Sequence, residues 1–165
     1  MINLLKDKLL TVKNKKILEL GTGYVENIHF EIAKVNDLTI SDIVPIRIEP
    51  GARPVPFINI TADACSTDLK KETFDIVASS MLVQHLDPEK HFNEVRRILK
   101  DNGVYWFACT GSKHNQELHH PDSHRLNVDA DEFSKYGVSV IAEELYTTTE
   151  SLSVTKHYYL FEMSR

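Results

Sequence analysis

Long apolar runs, cysteines and blocks of like charge are all scarce in this sequence of 165 residues. No apolar run approaches the ~18 residues that a membrane-spanning helix needs, so we expect no membrane partner. The two cysteines, Cys65 and Cys109, lie far apart in apolar or turn contexts, which argues against a disulfide framework and favours the reducing cytoplasm. A net charge of -5 without a cationic block argues against nucleic acid as a partner.

Two common phosphate-binding loops are also missing. No Gly-x-x-x-x-Gly-Lys-Ser/Thr pattern occurs, which excludes a P-loop. In the stretch ILELGTGYVEN, Glu19 precedes Gly21 and Gly23, but Val25 stands close to where a dinucleotide loop would have its third glycine. Acidic residues flank this loop on both sides. Because carboxylates would repel a pyrophosphate and tolerate a cation, the loop favours a cationic ligand.

Apolar strand-like and helix-like segments alternate through the first two thirds of the chain, which predicts a parallel α/β sheet with right-handed crossovers. After a short amphipathic helix in MINLLKDKLLTVKNKK, which does not resemble a secretory signal, VENIHFEIAKV is the first crossover helix, with Ile28, Ile32 and Val35 as its apolar stripe. The predicted strands are KKILELG, DLTISD, PFINITADA, TFDIVASS and VYWFACT.

The clearest helix signal begins at Asp87, a good N-cap that is followed by Pro88 at the first helical position. We expect this helix to end at Asn102-Gly103, where the strand VYWFACT begins. By contrast, the prolines of IVPIRIEPGARPVPF exclude a long helix between the second and third strands.

The last third of the chain has a different pattern. GSKHNQELHHPDSHRLN is a polar connection, and VDADEFSKYG predicts a short helix. VSVIAEELYTT and KHYYLFEMS are rich in β-forming residues and predict a terminal antiparallel hairpin. The length favours one domain spanning residues 1–165.

Polar residues follow the predicted parallel strands at the points where the strands end. These residues are Glu19, Asp42, Asp63 and the pair Ser79-Ser80, with His85 soon after. Because the carboxyl ends of parallel strands meet at one edge of a sheet, we expect them to share a ligand site. A carboxylate there can accept hydrogen bonds from ribose hydroxyls, and glycines allow a ligand to approach the backbone. The pattern suits a nucleoside.

Residues 15 to 110 resemble a class I S-adenosylmethionine-dependent methyltransferase of the small-molecule type, similar to methyltransferase type 11. KKILELGTG is similar to the family's first motif, the SD of TISD to its ribose motif and TADA to its adenine motif. FDIVASSMLVQHLDPEKHFNEVRRILKDNGVYWF resembles its fourth strand through its fifth. The resemblance implies a Rossmann-like, mostly parallel seven-stranded sheet with helices on both faces and a C-terminal antiparallel hairpin.

The resemblance also implies S-adenosyl-L-methionine as cofactor and assigns roles to individual residues. Glu19, Gly21 and Gly23 would contact the methionine part and the ribose edge, Asp42 the ribose hydroxyls, Asp63 and Ala64 the adenine, and Ser79 and Ser80 the floor near the sulfonium. The candidate general bases are His85, His119 and His120. Arg125 could bind an acidic group of the small-molecule acceptor. The histidines of the polar connection match no standard metal spacing, so no metal is predicted.

Several alternatives stay open at this point. Asp63 could form an Asx-turn, and His85 could be a half-buried structural histidine. The predicted core has few elements on its substrate side. The acceptor could therefore be large, or a second copy or a partner could complete the pocket. The chain could also be a non-catalytic S-adenosylmethionine-binding or protein-interaction module. A nicotinamide-dependent enzyme is disfavoured by the acid-flanked loop with only two glycines.

Overall fold

The computed structural model describes residues 1–46, 55–114, 127–148 and 154–165. Within these residues the strands, in chain order, are β1 Lys16–Leu20, β2 Asp37–Asp42, β3 Ile58–Thr61, β4 Phe74–Ser80, β5 Leu99–Gly111, β6 Asn127–Val128, β7 Val138–Thr148 and β8 Val154–Ser164. The helices are α1 Asn3–Leu10, α2 Asn27–Ala33 and α3 Pro88–Ile98.

All the strands join one sheet in the order β3-β2-β1-β4-β5-β8-β7, and β6 pairs with β5 off this path. The strands from β1 to β6 pair in parallel, and β8 runs antiparallel to both β5 and β7. The mostly parallel sheet and the terminal hairpin are therefore confirmed. The short β6 brings the number of strands among the described residues to eight, where seven were predicted.

The helices cover both faces of the sheet, as predicted. On one face, α1 buries Leu5 and Leu9 in a core that includes Ile17 of β1. On the other face, α3 buries Phe92 in a core that includes Leu18 of β1. Because successive residues of a strand point to opposite faces, the apolar run of β1 supplies both cores.

The predicted start of α3 is confirmed, since the Asp87 side chain accepts hydrogen bonds from the backbone N–H groups of Glu89 and Lys90. The predicted end is wrong. The chain is already extended at Leu99, whose buried side chain and pairing with Phe74 begin β5 four residues before Gly103. The burial of Leu99 in a strand therefore outweighs the tendency of Asn102-Gly103 to end the helix later.

Two further predictions about helices are wrong. Val35 lies beyond the end of α2 and is 43% exposed, so it does not extend the apolar stripe of that helix. VDADEFSKYG contains only a 3-10 turn, Ser134–Tyr136, and the left-handed Gly137 at φ +72° then leads the chain into β7. No helix in the described ranges is long and apolar enough to cross a membrane.

The buried carboxylate of Glu94 joins the loop after β3 to α3 by hydrogen bonds. Glu94 accepts hydrogen bonds from the backbone N–H and hydroxyl of Thr67 and from the guanidinium of Arg97, at 2.7 and 2.8 Å. The hydrogen bonds from Arg97, joined by those from Thr67, outweigh desolvation and lower the pKa of Glu94 from 4.5 to about 2.

The low pKa of Glu94, paired with Arg97, predicts that the protein loses stability in acid. Because the folded pKa lies below the ordinary value, the stabilisation is fully present above about pH 5 and is lost as the pH falls towards 2. We expect Glu94→Gln to reduce the fall in the free energy of unfolding between pH 6 and pH 3, measured by urea denaturation. Glu89→Gln, exposed on the same helix, is the matched control. An unchanged slope in Glu94→Gln would contradict the assignment.

Candidate functional site

The loop after β1 folds back over the end of β2. Gly21 and Gly23 both have left-handed backbone angles, with φ at +67° and +68°. The Gly23 N–H donates to Oδ2 of Asp42 at 2.9 Å, and the Thr22 N–H donates to the Ser41 carbonyl at 3.0 Å. Glycine adopts this conformation without the cost that a side chain brings, so the two-glycine pattern holds the loop beside the Asp42 carboxylate.

Asp42 also reaches the loop after β3. Its backbone carbonyl accepts from the Ala62 N–H at 2.9 Å, while its Oδ1 accepts from the Val44 N–H at 3.1 Å. In that next loop, Oδ1 of Asp63 accepts from the Cys65 N–H at 2.8 Å, which forms the Asx-turn left open above. The loops after β1, β2 and β3 therefore meet at one edge of the sheet.

The side chain of Glu19 is buried beneath this edge and is not exposed at it. Its carboxylate is almost fully buried, and Oε2 lies 2.7 Å from Nε2 of the equally buried His29. The Glu26 N–H donates to Nδ1 of the same ring at 2.8 Å. Although burial alone would lower the pKa of His29, the hydrogen bond to Glu19 and the charge of that carboxylate raise it. Glu19 thus links the glycine loop to α2 through His29, which was not among the predicted site residues.

A buried network runs from the end of β4 to the loop after β3. The Ser79 hydroxyl lies 2.6 Å from the Tyr105 hydroxyl, which lies 2.8 Å from Nε2 of His91. Nδ1 of His91 then lies 2.9 Å from the Ala64 carbonyl. Burial lowers the pKa of His91 and raises that of Tyr105 well above its usual value. Both are neutral near pH 7, so the network positions Ala64 without adding charge.

Ser80 lies on the face of β4 opposite to that of Ser79, at the wall of a cavity of about 300 Å³, within the size range of small-molecule sites. Its hydroxyl accepts a hydrogen bond from the Ile2 N–H at 3.1 Å, which joins the start of α1 to the sheet edge. Beside it, Met81 holds a left-handed φ of +58°, a conformation that costs a side-chain-bearing residue ~1–2 kcal/mol. We call this space the edge cavity; its lining residues are Met1, Ile2, Asn3, Ser80, Met81, Glu144, Tyr146 and Tyr158.

A second cavity, of about 200 Å³, lies near the start of α3. Its lining residues are Val83, Gln84, Leu86, Pro88, Asn127, Val128, Glu132 and Phe133. Among the described residues, three buried side-chain oxygens lack a hydrogen-bond partner: Thr22 Oγ1, Gln84 Oε1 and Thr110 Oγ1. All three follow or end strands at the carboxyl edge. Since buried polar groups are normally satisfied, these oxygens at the carboxyl edge are available to a polar ligand.

The predicted general bases and substrate-binding residue are only partly described. His85 is exposed at the end of the 3-10 turn Val83–His85 and lines neither cavity. His119, His120 and Arg125 lie outside the described residues. No group of three or more His, Cys, Asp or Glu side chains in the described part of the chain is placed to hold a metal ion.

Residues 18–107 match the family model of the methyltransferase domain. The matched stretch spans more than half of the chain and runs from the glycine loop to β5. The chain belongs to this family. It is an S-adenosylmethionine-dependent methyltransferase, and S-adenosylmethionine is its cofactor. No curated protein is significantly similar to the sequence.

Solved structures share the fold of this methyltransferase at low sequence identity. The YcgJ protein of Bacillus subtilis superposes with a TM-score of 0.75 at 12% identity, with 99% of each chain covered. A SAM-dependent methyltransferase of Methanosarcina mazei gives 0.63 at 13% identity over 92% of this chain and 93% of its own. A Burkholderia thailandensis 1,6-didemethyltoxoflavin-N1-methyltransferase with bound S-adenosylhomocysteine gives 0.64 at 13%, over 99% and 75%.

The described residues fit the cofactor. The glycine loop leaves open space beside Gly23, since no atom lies within 4 Å of where a Cβ would stand. The adjacent Thr22 hydroxyl is a buried polar group without a partner in the described chain. Each Asp42 oxygen accepts one backbone hydrogen bond, and each keeps a further lone pair for a hydroxyl donor.

Proposed function

We propose that this methyltransferase transfers the methyl group to an oxygen or nitrogen of a small-molecule or sugar-type acceptor by in-line displacement. The observation that supports the proposal is the junction at Asp42. Its carboxylate lies 2.9 Å from the Gly23 N–H and its carbonyl 2.9 Å from the Ala62 N–H. One residue thereby connects the three loops that a nucleoside cofactor has to contact.

The places of the predicted cofactor-binding residues at this edge support the following roles. Asp42 would accept hydrogen bonds from the ribose hydroxyls, and Asp63 and Ala64 would flank the adenine. Gly21 and Gly23 would allow close approach of the methionine part, with Glu19 bracing the loop from beneath. Ser80 would form the floor beside the edge cavity. Ser79 would act indirectly, through the hydrogen bond between its hydroxyl and that of Tyr105.

S-adenosylmethionine, when bound, supplies a methyl group on a sulfonium, which is a good leaving group. The chain's own contribution is to hold the acceptor in line, and alignment of this kind can be worth roughly 7–11 kcal/mol. A general base adds ~10²–10⁴-fold when the acceptor atom carries a proton. We propose His85, exposed at the same edge, or His119 or His120 for that role, and Arg125 as a contact for an acidic acceptor group.

The setting of the protein is also part of the proposal. We place it in the cytoplasm, with a second copy or a partner completing the substrate side. Ile43, Val44 and Ile58 support contact with a second copy or a partner, because these apolar side chains are each more than half exposed, but they lie at the β3 side of the sheet and not beside the edge cavity.

Ligand-induced stabilisation tests the proposal. S-adenosylhomocysteine at ~100 times its dissociation constant should stabilise the protein by ~2.7 kcal/mol, which corresponds to ~5–11 °C in melting temperature for a domain of this size. NAD at the same concentration is the control and should give no shift. The absence of a shift with S-adenosylhomocysteine and also with S-adenosylmethionine, tested in the same way, would overturn the proposed cofactor site. Binding without methyl transfer to any of a panel of acceptors would favour the non-catalytic module.

A further inference from the structure

The wall of the edge cavity contains one carboxylate for which the described residues supply no ion pair. This carboxylate belongs to Glu144 of β7. The neighbouring Glu143 points to the other face of the strand, where it binds Lys113 at 3.1 Å and His157 at 2.7 Å. Alternation along β7 therefore places the paired carboxylate of Glu143 on one face of the strand and the carboxylate of Glu144 on the face that lines the cavity.

Two aromatic rings stand beside that carboxylate. Tyr158 of β8 is the direct cross-strand partner of Glu144, and Tyr146 lies two residues further along β7. Burial and the nearby Tyr146 raise the pKa of Tyr158 and outweigh the opposing charge of Lys156, so the Tyr158 hydroxyl stays protonated. A carboxylate between aromatic rings is the combination that attracts an organic cation, through charge and through the negative face of each ring.

Two cations near this wall already have partners of their own. The Lys156 ammonium, opposite Tyr146 in the hairpin, lies over the Tyr146 ring, 5.6 Å from its centroid. The amino group of Met1, which also lines the cavity, forms its ion pair with Glu26. Among the residues that line the edge cavity, Glu144 is the only one with a charged side chain.

The edge cavity also adjoins the proposed cofactor edge. Ser80 and the strained Met81 form its wall on the β4 side, directly after the strand end where the sulfonium is proposed to lie. A backbone held at φ +58° for a non-glycine residue is typical of functional sites. The hydrogen bond from the Ile2 N–H to Ser80 fixes the opposite wall.

We infer that the edge cavity binds the methyl acceptor and selects an amine-bearing one, a cation on an aromatic or apolar skeleton, held by Glu144 between Tyr146 and Tyr158. The inference rests on the proposed function and adds the class of its acceptor. It differs from an acidic acceptor bound by Arg125, because the charge that the described cavity presents is negative.

Three probes of one skeleton test the selectivity: 2-phenylethylamine, 2-phenylethanol and phenylacetate, which are cationic, neutral and anionic at pH 7. Each is titrated into ¹⁵N-labelled protein with and without saturating S-adenosylhomocysteine, and the dissociation constant is taken from amide chemical shifts. We expect the amine to bind at least tenfold more tightly than the alcohol, and the acid to bind most weakly. The shifts should centre on Ser80, Glu144 and Tyr158.

Two matched carboxylate variants test whether Glu144 causes the preference for the amine. Glu144→Gln should reduce the preference for amine over alcohol to less than threefold, whereas Glu132→Gln, in the wall of the second cavity, should leave it unchanged. Equal binding of amine and alcohol by the unaltered protein, or loss of preference in Glu132→Gln instead, would overturn the inference. S-adenosylhomocysteine binding in the same samples separates the two proposals. If it binds and the amine preference is absent, only the acceptor class fails; if it does not bind, the cofactor proposal fails.

Discussion

Asp42→Asn is expected to weaken S-adenosylhomocysteine binding about 100-fold. Asparagine keeps the shape of the side chain and one oxygen that can accept from the Gly23 N–H, now 2.9 Å away. It loses the charge and turns an NH₂ group towards a hydroxyl that needs an acceptor. Hydrogen bonds to charged groups are worth ~1.5–3 kcal/mol each, and a loss near 2.7 kcal/mol corresponds to the expected factor. Isothermal titration calorimetry measures it directly.

Asp37→Asn is the matched control, because Asp37 begins the same strand that Asp42 ends. It lies exposed at the far edge of the sheet, so the dissociation constant should stay within twofold of that of the unaltered protein. Melting temperatures without ligand establish that both variants are folded. Binding by Asp42→Asn within threefold of the unaltered protein would remove Asp42 from the proposed ribose site.

The sheet and the positions of the strand-end acids could be predicted from the sequence, because they depend on local patterns. Apolar runs of five to seven residues that end in Glu19-x-Gly, Asp42 and Ser80 indicate buried parallel strands. Once the strands are parallel, their carboxyl ends share an edge whatever the details of packing. The junction at Asp42 follows from that topology.

Side-chain direction at this edge was harder to predict. Ser79 and Ser80 are consecutive in one strand and must therefore face opposite sides of the sheet. Ser79 bonds Tyr105 in the core below α3, while Ser80 bonds Ile2 at the edge cavity. The family motif gives both serines the same role. Their different surroundings depend on which neighbouring elements pack against each face of β4.

The edge cavity could not be predicted, because its walls come from parts of the chain more than 60 residues apart, at Ser80 and at Glu144. Which β7 carboxylate faces the cavity depends on the register of the hairpin, and a bulge between Val140 and Ala142 shifts that register. A slip of one residue would exchange the places of Glu143 and Glu144. The sequence of β7 alone does not specify it.

A second large effect is expected at the end of β5, from Gly111→Ala. Gly111 has no left-handed angle, so alanine suits its backbone, but an added Cβ would lie 2.2 Å from Nδ1 of His157. That ring is fully buried and held at both nitrogens, by the Lys113 N–H at 3.1 Å and by Glu143 at 2.7 Å. We expect a loss of about 3 kcal/mol in the free energy of unfolding, the upper end of the usual range for overpacking. Urea denaturation measures it.

A double-mutant cycle with His157→Ala shows whether steric overlap causes this loss. His157→Ala alone should destabilise the protein, because it empties a buried site and leaves the Lys113 N–H without its acceptor. In that background Gly111→Ala should cost less than about 0.5 kcal/mol, since the ring is no longer there to collide with the new methyl group. The expected coupling of about 2.5 kcal/mol would be absent if alanine disturbed the backbone of β5 itself, and Gly111→Ala would then cost the same in both backgrounds. The result decides whether the exit of β5 towards the polar connection is set by the packing of Gly111 against His157 or by the conformation of the strand.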